Sequence, residues 1–94
     1  MRVAWDRAKE RSNRRKHGLS FDTAARVFLD PLQLTRLDRI VDGEERWQTI
    51  GTIEGVLVLV AYTVSEEPDE AIRIISARRA TRRERIEYEE TSEI

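Results

Sequence analysis

Apolar and polar positions along the chain follow two different periods, and the switches between them mark the elements. Val3, Ala4 and Trp5 form a short extended start. Asp6 then stands as a helix cap before good helix formers at 7–17. Gly18 after His17 reads as a helix stop. Ser20 caps a second helix, whose Phe21, Ala24, Ala25 and Phe28 share one face at helical spacing. Asp30-Pro31 ends it, because a residue before proline avoids the helical region. Alternation then takes over. Residues 32–37 read as a strand, Asp42-Gly43 as a turn, and Arg46 to Ile53 as a second strand. Glu54-Gly55 marks a tight hairpin into Val56–Val64, a nearly continuous apolar strand of the kind covered on both faces. SEEPDE at 65–70 reads as an exposed loop, Ala71–Ser76 as the last strand, and the run from Ala77 onward as a helix that frays at 91–94.

This order predicts a single α+β domain at 1–94. Three or four antiparallel strands carry helices on one face, and the other face stays partly open for a ligand.

Composition narrows the chemistry. Charged residues make up 37% of the chain and aromatics 6%, so the core rests mainly on Val, Ile, Leu and Ala. Cysteine is absent and there is one histidine, which excludes disulfides and argues against a thiolate or histidine-rich metal site. No metal and no cofactor is expected. The longest apolar run, Val56 to Tyr62, falls far short of the roughly 20 residues that span a bilayer. The first thirty residues are polar, without a signal-peptide pattern. A soluble cytoplasmic protein with no membrane contact is expected.

The net charge of −1 conceals a sorting by segment. Residues 1–17 carry seven basic and two acidic side chains, and 71–85 carry six arginines and one acid. Residues 30–70 carry ten acids against Arg36, Arg39 and Arg46, and 86–94 add four acids. If folding joins the two basic blocks, they make a cationic face suited to phosphates. The alternative is two solvated helix faces.

Phosphate-loop and nucleophile-elbow motifs are missing. The remaining inventory of arginine, glutamate, tyrosine, threonine and one histidine suits metal-free RNA cleavage. There the substrate's own 2′-hydroxyl is the nucleophile. Arginine's fork matches phosphate oxygens, and a carboxylate or imidazole can move the proton. Arg73, between Ile72 and Ile74, points to the more open side of the last strand, with Ala71 and Ile75 beside it and Ser76 opposite. Arg78 and Arg79 follow where the strand passes into the helix. Glu45 and Trp47 share one face of their strand and Arg46 takes the other. A base can stack on Trp47 beside Glu45, or Trp47 is core. Tyr62 and Thr63 bring hydroxyls; Tyr62 stacks, donates a proton, or is a satisfied buried tyrosine. Lys16 and His17 close the first helix. His17 either contacts substrate or caps the helix dipole.

The segments WDRAKERSNRRKHGLSFDTAARVFLDP (5–31), EERWQTIG (44–51) and RIISARRATRRERIEYEE (73–90) resemble the BrnT toxin family over nearly the whole chain. The resemblance implies a RelE-like fold, a small twisted antiparallel sheet with two N-terminal helices and one C-terminal helix. It implies a ribonuclease that blocks translation, acting as a free enzyme rather than a ribosome-dependent one. It implies a BrnA-type ribbon-helix-helix antitoxin as partner, in a complex of two toxins and two antitoxins that contacts operator DNA only through the antitoxin. By motif, the family's polar positions fall on Lys16, His17, Glu45, Trp47, Arg73, Ser76 and Arg78, with Arg79 adjacent. The expected site therefore joins Arg73, Arg78, Arg79, Glu45 and His17 as catalytic groups, with Lys16, Trp47, Tyr62, Thr63 and Ser76 contacting RNA. The rivals are a non-catalytic nucleic-acid-binding or co-repressor module of the same fold, and a ribosome-dependent nuclease.

Overall fold

The structure is a computed structural model that describes residues 2–65 and 71–92. In chain order the elements are β1 (Arg2–Trp5), α1 (Arg7–His17), α2 (Phe21–Ala24) running into a 3-10 helix (Ala25–Leu29), β2 (Leu34–Val41), β3 (Glu44–Ile53), β4 (Val56–Ser65), β5 (Ala71–Arg79) and α3 (Arg82–Ser92). The expected loop lies, apart from Ser65, outside the described residues.

The five strands form one sheet in the order β1-β5-β4-β3-β2. The meander from β2 to β5 is antiparallel, as alternation predicts, and its two tight turns carry positive φ at Asp42-Gly43 and Glu54-Gly55. β1 departs from the expectation. It pairs parallel with β5, so the sheet has five strands and is mixed.

Helices cover both faces, not one. The first face buries Ile53, Val58, Val60, Tyr62, Ile72, Ile74 and Ala77 against Phe21, Ala24 and Val27. Val27 of the 3-10 segment joins Phe21 and Ala24 in this core, and Ala25 and Phe28, the rest of the expected face, pack half-buried against it. The 3-10 segment lies close on β3: a Cβ at Gly51 would stand 2.8 Å from the Val27 carbonyl oxygen, so glycine is what lets the two backbones approach. On the second face Ile50, Leu57 and Leu59 pack against Tyr88 of α3. α3 starts at Arg82, not Ala77, because Thr81 and Glu84 form a reciprocal cap. The Glu84 amide donates to Thr81 Oγ1 at 3.2 Å, and the Thr81 amide donates to Glu84 Oε1 at 2.8 Å.

Two buried side chains close the sheet where a neighbouring strand is missing. β1 stops opposite Ile74, which leaves the outer edge of β5 without a partner. There Asn13 of α1 donates to the Ala77 carbonyl at 2.8 Å and accepts from the Ala77 amide at 3.0 Å, as a strand would. α1 carries only one aliphatic residue, Ala8, so this amide is the main reason the helix docks. At the other edge Asp30 accepts from the amide and hydroxyl of Thr52 at 2.8 and 3.0 Å, and from the Tyr88 hydroxyl at 2.7 Å.

Asp30 and Glu84 make the fold acid-labile. Burial pushes the Asp30 carboxyl up, but hydrogen bonds from Tyr88, Thr52 and Leu32 outweigh it and hold it below its ordinary value. The Arg78 fork, opposed by burial and helped by the Thr81 amide, takes Glu84 from 4.5 to about 2. Both carboxyls are depressed, so their stabilisation is complete above the ordinary carboxylate range and fades as pH falls through the folded values. Melting temperature is expected to hold steady above roughly pH 5 and to fall steeply between about pH 4.5 and 2. In Glu84→Gln that acid slope should be shallower. A slope equal to that of the parent would deny the linkage.

Candidate active site

The register of β5 decides what the site contains. Ile72 and Ile74 point to the first face, so Arg73 points to the second, as alternation predicts. Between Ile74 and Ser76 the pairing slips: Tyr62 stands opposite Ile74 while Ala61 stands opposite Ser76. Ile75 is the extra residue of a β-bulge. From there the faces exchange, and Ala77, not Ser76, enters the first core. Ser76 therefore lies on the same side as Arg73, which corrects the side read from the sequence.

α1 lies along this edge of β5. Lys9, Ser12, Asn13 and Lys16 recur at helical spacing and, with His17, face Ile75 and Ser76 across a cleft of about 250 Å³. Three residues singled out in the sequence, Lys16, His17 and Ser76, thus meet in one place. Arg73 adjoins the N-terminal end of α1. Asp6 sits low in pKa through hydrogen bonds from the Lys9 and Ala8 amides, and the charges of Lys9 and Arg73 add to that effect. Lys9 was given no role in the sequence. Its signal was there: it stands seven residues before Lys16, on the same helix face.

The other expected residues do not join this cleft. β5 runs on to Arg79, so Arg78 and Arg79 are strand residues and alternate. Arg78 lies on the second face beneath α3. Its guanidinium donates in fork geometry to both oxygens of Glu84 at 2.7 and 2.9 Å, which raises its own pKa. Arg79 is exposed opposite Val58, on the first face. The three arginines expected to converge do not meet: Arg79 is on the first face, and Arg78, five residues along the second face from Arg73, is tied to Glu84. Tyr62 is a core residue: its hydroxyl bonds Thr49 at 2.8 Å and its ring meets Phe28 edge-on at 5.2 Å. It is not placed to stack on a base. Glu45 and Trp47 share the first face as expected. They line a separate hollow of about 630 Å³ with Gly43, Glu44 and Val64, and Trp47 also packs on the first core. In register, Glu45 is two strands and three residues from Ser76, roughly 14 Å, and on the opposite face. Thr63 is buried opposite Arg73.

The cleft combines two lysines, a histidine and the hydroxyls of Ser12 and Ser76 near the exposed Arg73. Such a set has the chemistry to bind a phosphodiester and to move a proton. Among the described residues, no cluster of three or more histidine, cysteine or carboxylate side chains is arranged to hold a metal ion, and no helix is long and apolar enough to cross a membrane.

Comparison with known proteins identifies the family. The family model for the ribonuclease toxin BrnT of type II toxin–antitoxin systems matches residues 5–84. The crystal structure of the Brucella abortus ribonuclease toxin BrnT is similar, with a TM-score of 0.63 and 27% identity, covering 87% of this chain and 99% of that one. No curated protein matches the sequence. The family match takes in α1, the whole sheet from β2 to β5 and the cap of α3, and on that ground the chain belongs to the BrnT family of ribonuclease toxins of type II toxin–antitoxin systems.

Proposed function

We propose that this chain is a metal-independent endoribonuclease whose site is the α1–β5 cleft together with Arg73. The observation that carries the reading is the meeting of Lys9, Lys16, His17 and Ser76 beside Arg73, an exposed arginine with no salt bridge among the described residues. In this reading the ribose 2′-hydroxyl attacks the adjacent phosphorus, the 5′-oxygen leaves, and a 2′,3′-cyclic phosphate remains. Arg73 and the lysines stabilise the extra negative charge on the phosphorane. His17 serves the proton transfer, taking the 2′-proton or returning one to the 5′-oxygen. The partner is a BrnA-type antitoxin with a ribbon-helix-helix DNA-binding part, joined as two toxins and two antitoxins. It silences the nuclease, and the complex meets operator DNA through the antitoxin.

One observation favours the rival reading of a non-catalytic co-repressor module: no carboxylate lines the cleft among the described residues. Purified protein with labelled RNA and EDTA separates the readings. Fragments ending in 2′,3′-cyclic phosphate are the expected result. Binding without cleavage supports the rival, cleavage only after ribosomes are added supports a ribosome-dependent enzyme, and cleavage abolished by EDTA contradicts metal independence.

A further inference from the structure

The second face of the sheet carries five arginines whose fates differ, Arg39 being paired with Asp38 at its outer edge, directly opposite Arg46. Arg36 is consumed by Gln48, Glu87 and Glu84, and Arg78 by Glu84. Both serve to dock α3. Arg46 and Arg73 lie beyond the reach of these acids. The β3–β4 pairing ends at Trp47–Tyr62; one residue further along the two strands come Arg46 and Thr63, and Thr63 is opposite Arg73. The three form one row across β3, β4 and β5, with the arginines flanking a buried threonine.

The two arginine backbones are about 10 Å apart, two strand spacings. Each side chain is long enough to lean over Thr63, so both forks can grip one phosphate there. Arg46 shows that it lacks a good partner. Its Nε is buried with no hydrogen-bond partner among the described residues, and its only ion pair is a 3.7 Å contact with Glu44. A buried guanidinium N–H without an acceptor is costly, and an incoming phosphate oxygen relieves that cost. The Arg73 guanidinium is exposed.

We infer that Arg46 and Arg73 form a seat for one backbone phosphate of RNA, floored by Thr63, and that Arg46 positions the substrate beside the α1–β5 cleft. The inference rests on the ribonuclease reading for its ligand. Its test does not depend on cleavage, because a 2′-O-methyl RNA oligonucleotide binds without being cut. Fluorescence anisotropy with that labelled oligonucleotide should show Arg46→Ala weakening binding about tenfold and reducing the salt slope by about 0.7. Arg46→Lys keeps the charge but loses the fork, so it should retain the slope and bind several-fold more weakly. Arg26→Ala, on an exposed side chain paired with Glu54 away from this face, should stay within about twofold. Because both forks hold one phosphate, Arg46→Ala with Arg73→Ala should lose less than the product of the single losses.

Binding by Arg46→Ala within twofold of the parent, or losses that multiply, would overturn the seat. If Arg46→Ala does not fold, Arg46→Lys decides, and an affinity equal to the parent's overturns it. Cleavage of unmodified RNA is scored separately. Coupled binding without cleavage sinks the nuclease reading and leaves the seat. Cleavage that ignores Arg46 does the reverse.

Discussion

Arg73→Ala is expected to lower the rate of RNA cleavage by about 10²–10³-fold, the usual cost of removing one preorganised donor from a developing oxyanion. It should leave the melting temperature nearly unchanged, because the side chain is exposed on its strand and holds no structural partner among the described residues. Arg78→Ala should behave in the opposite way. It removes the fork from Glu84, leaving that buried carboxylate the Thr81 amide and a 4.0 Å contact with Arg36, and so should cost about 1–3 kcal/mol of stability. Family motif and charge alone rank these two arginines together. The bulge at Ile75 puts both on the second face, and the acid at 84 separates them. Single-turnover cleavage and thermal melts on both variants, side by side, give the answer. Equal loss of activity at equal stability would place Arg78 back in the site.

The second large effect is expected from Asn13→Ala. This change removes both partners of the Ala77 backbone at a buried edge, and each orphaned group costs about 1–3 kcal/mol. The loss should reach about 2–4 kcal/mol by chemical denaturation. It also frees α1, the helix that brings Lys9, Lys16 and His17 to Ser76. Cleavage should therefore fall even where the protein remains folded. Full activity in a folded Asn13→Ala protein would show that the helix contributes nothing to the chemistry.

Much of this was legible in the sequence, and the parts that were not share a cause. Asp6 and Gly18 bracket α1, and the two tight turns set the β2–β3–β4 meander, because caps and turns are local chemistry. The pairing of Glu45 with Trp47 and the outward direction of Arg73 follow from alternation. Long-range facts were hidden. Nothing local announces that β1 pairs with β5, and alternation cannot show a bulge, so Ser76 was put on the wrong side. The arginine-rich run after Ser76 has helical composition, yet sheet pairing keeps it extended to Arg79. The Thr81-x-x-Glu84 box marks where the helix begins. A lone asparagine at position 13, amid charged residues, was the visible trace of an edge contact 64 residues away. Convergence of Arg73, Arg78 and Arg79 failed on two counts: Arg79 alternates to the first face, and Arg78, on the same face as Arg73, is held by Glu84.

Amide chemical-shift mapping tests the placement of the site most directly. An isotope-labelled protein is titrated with an uncleavable 2′-O-methyl RNA oligonucleotide. The shifts should gather at Lys9, His17, Thr63, Arg73 and Ser76, on the side of the sheet that Arg73 occupies. Shifts centred on Glu45 and Trp47, with the α1–β5 cleft silent, would contradict it.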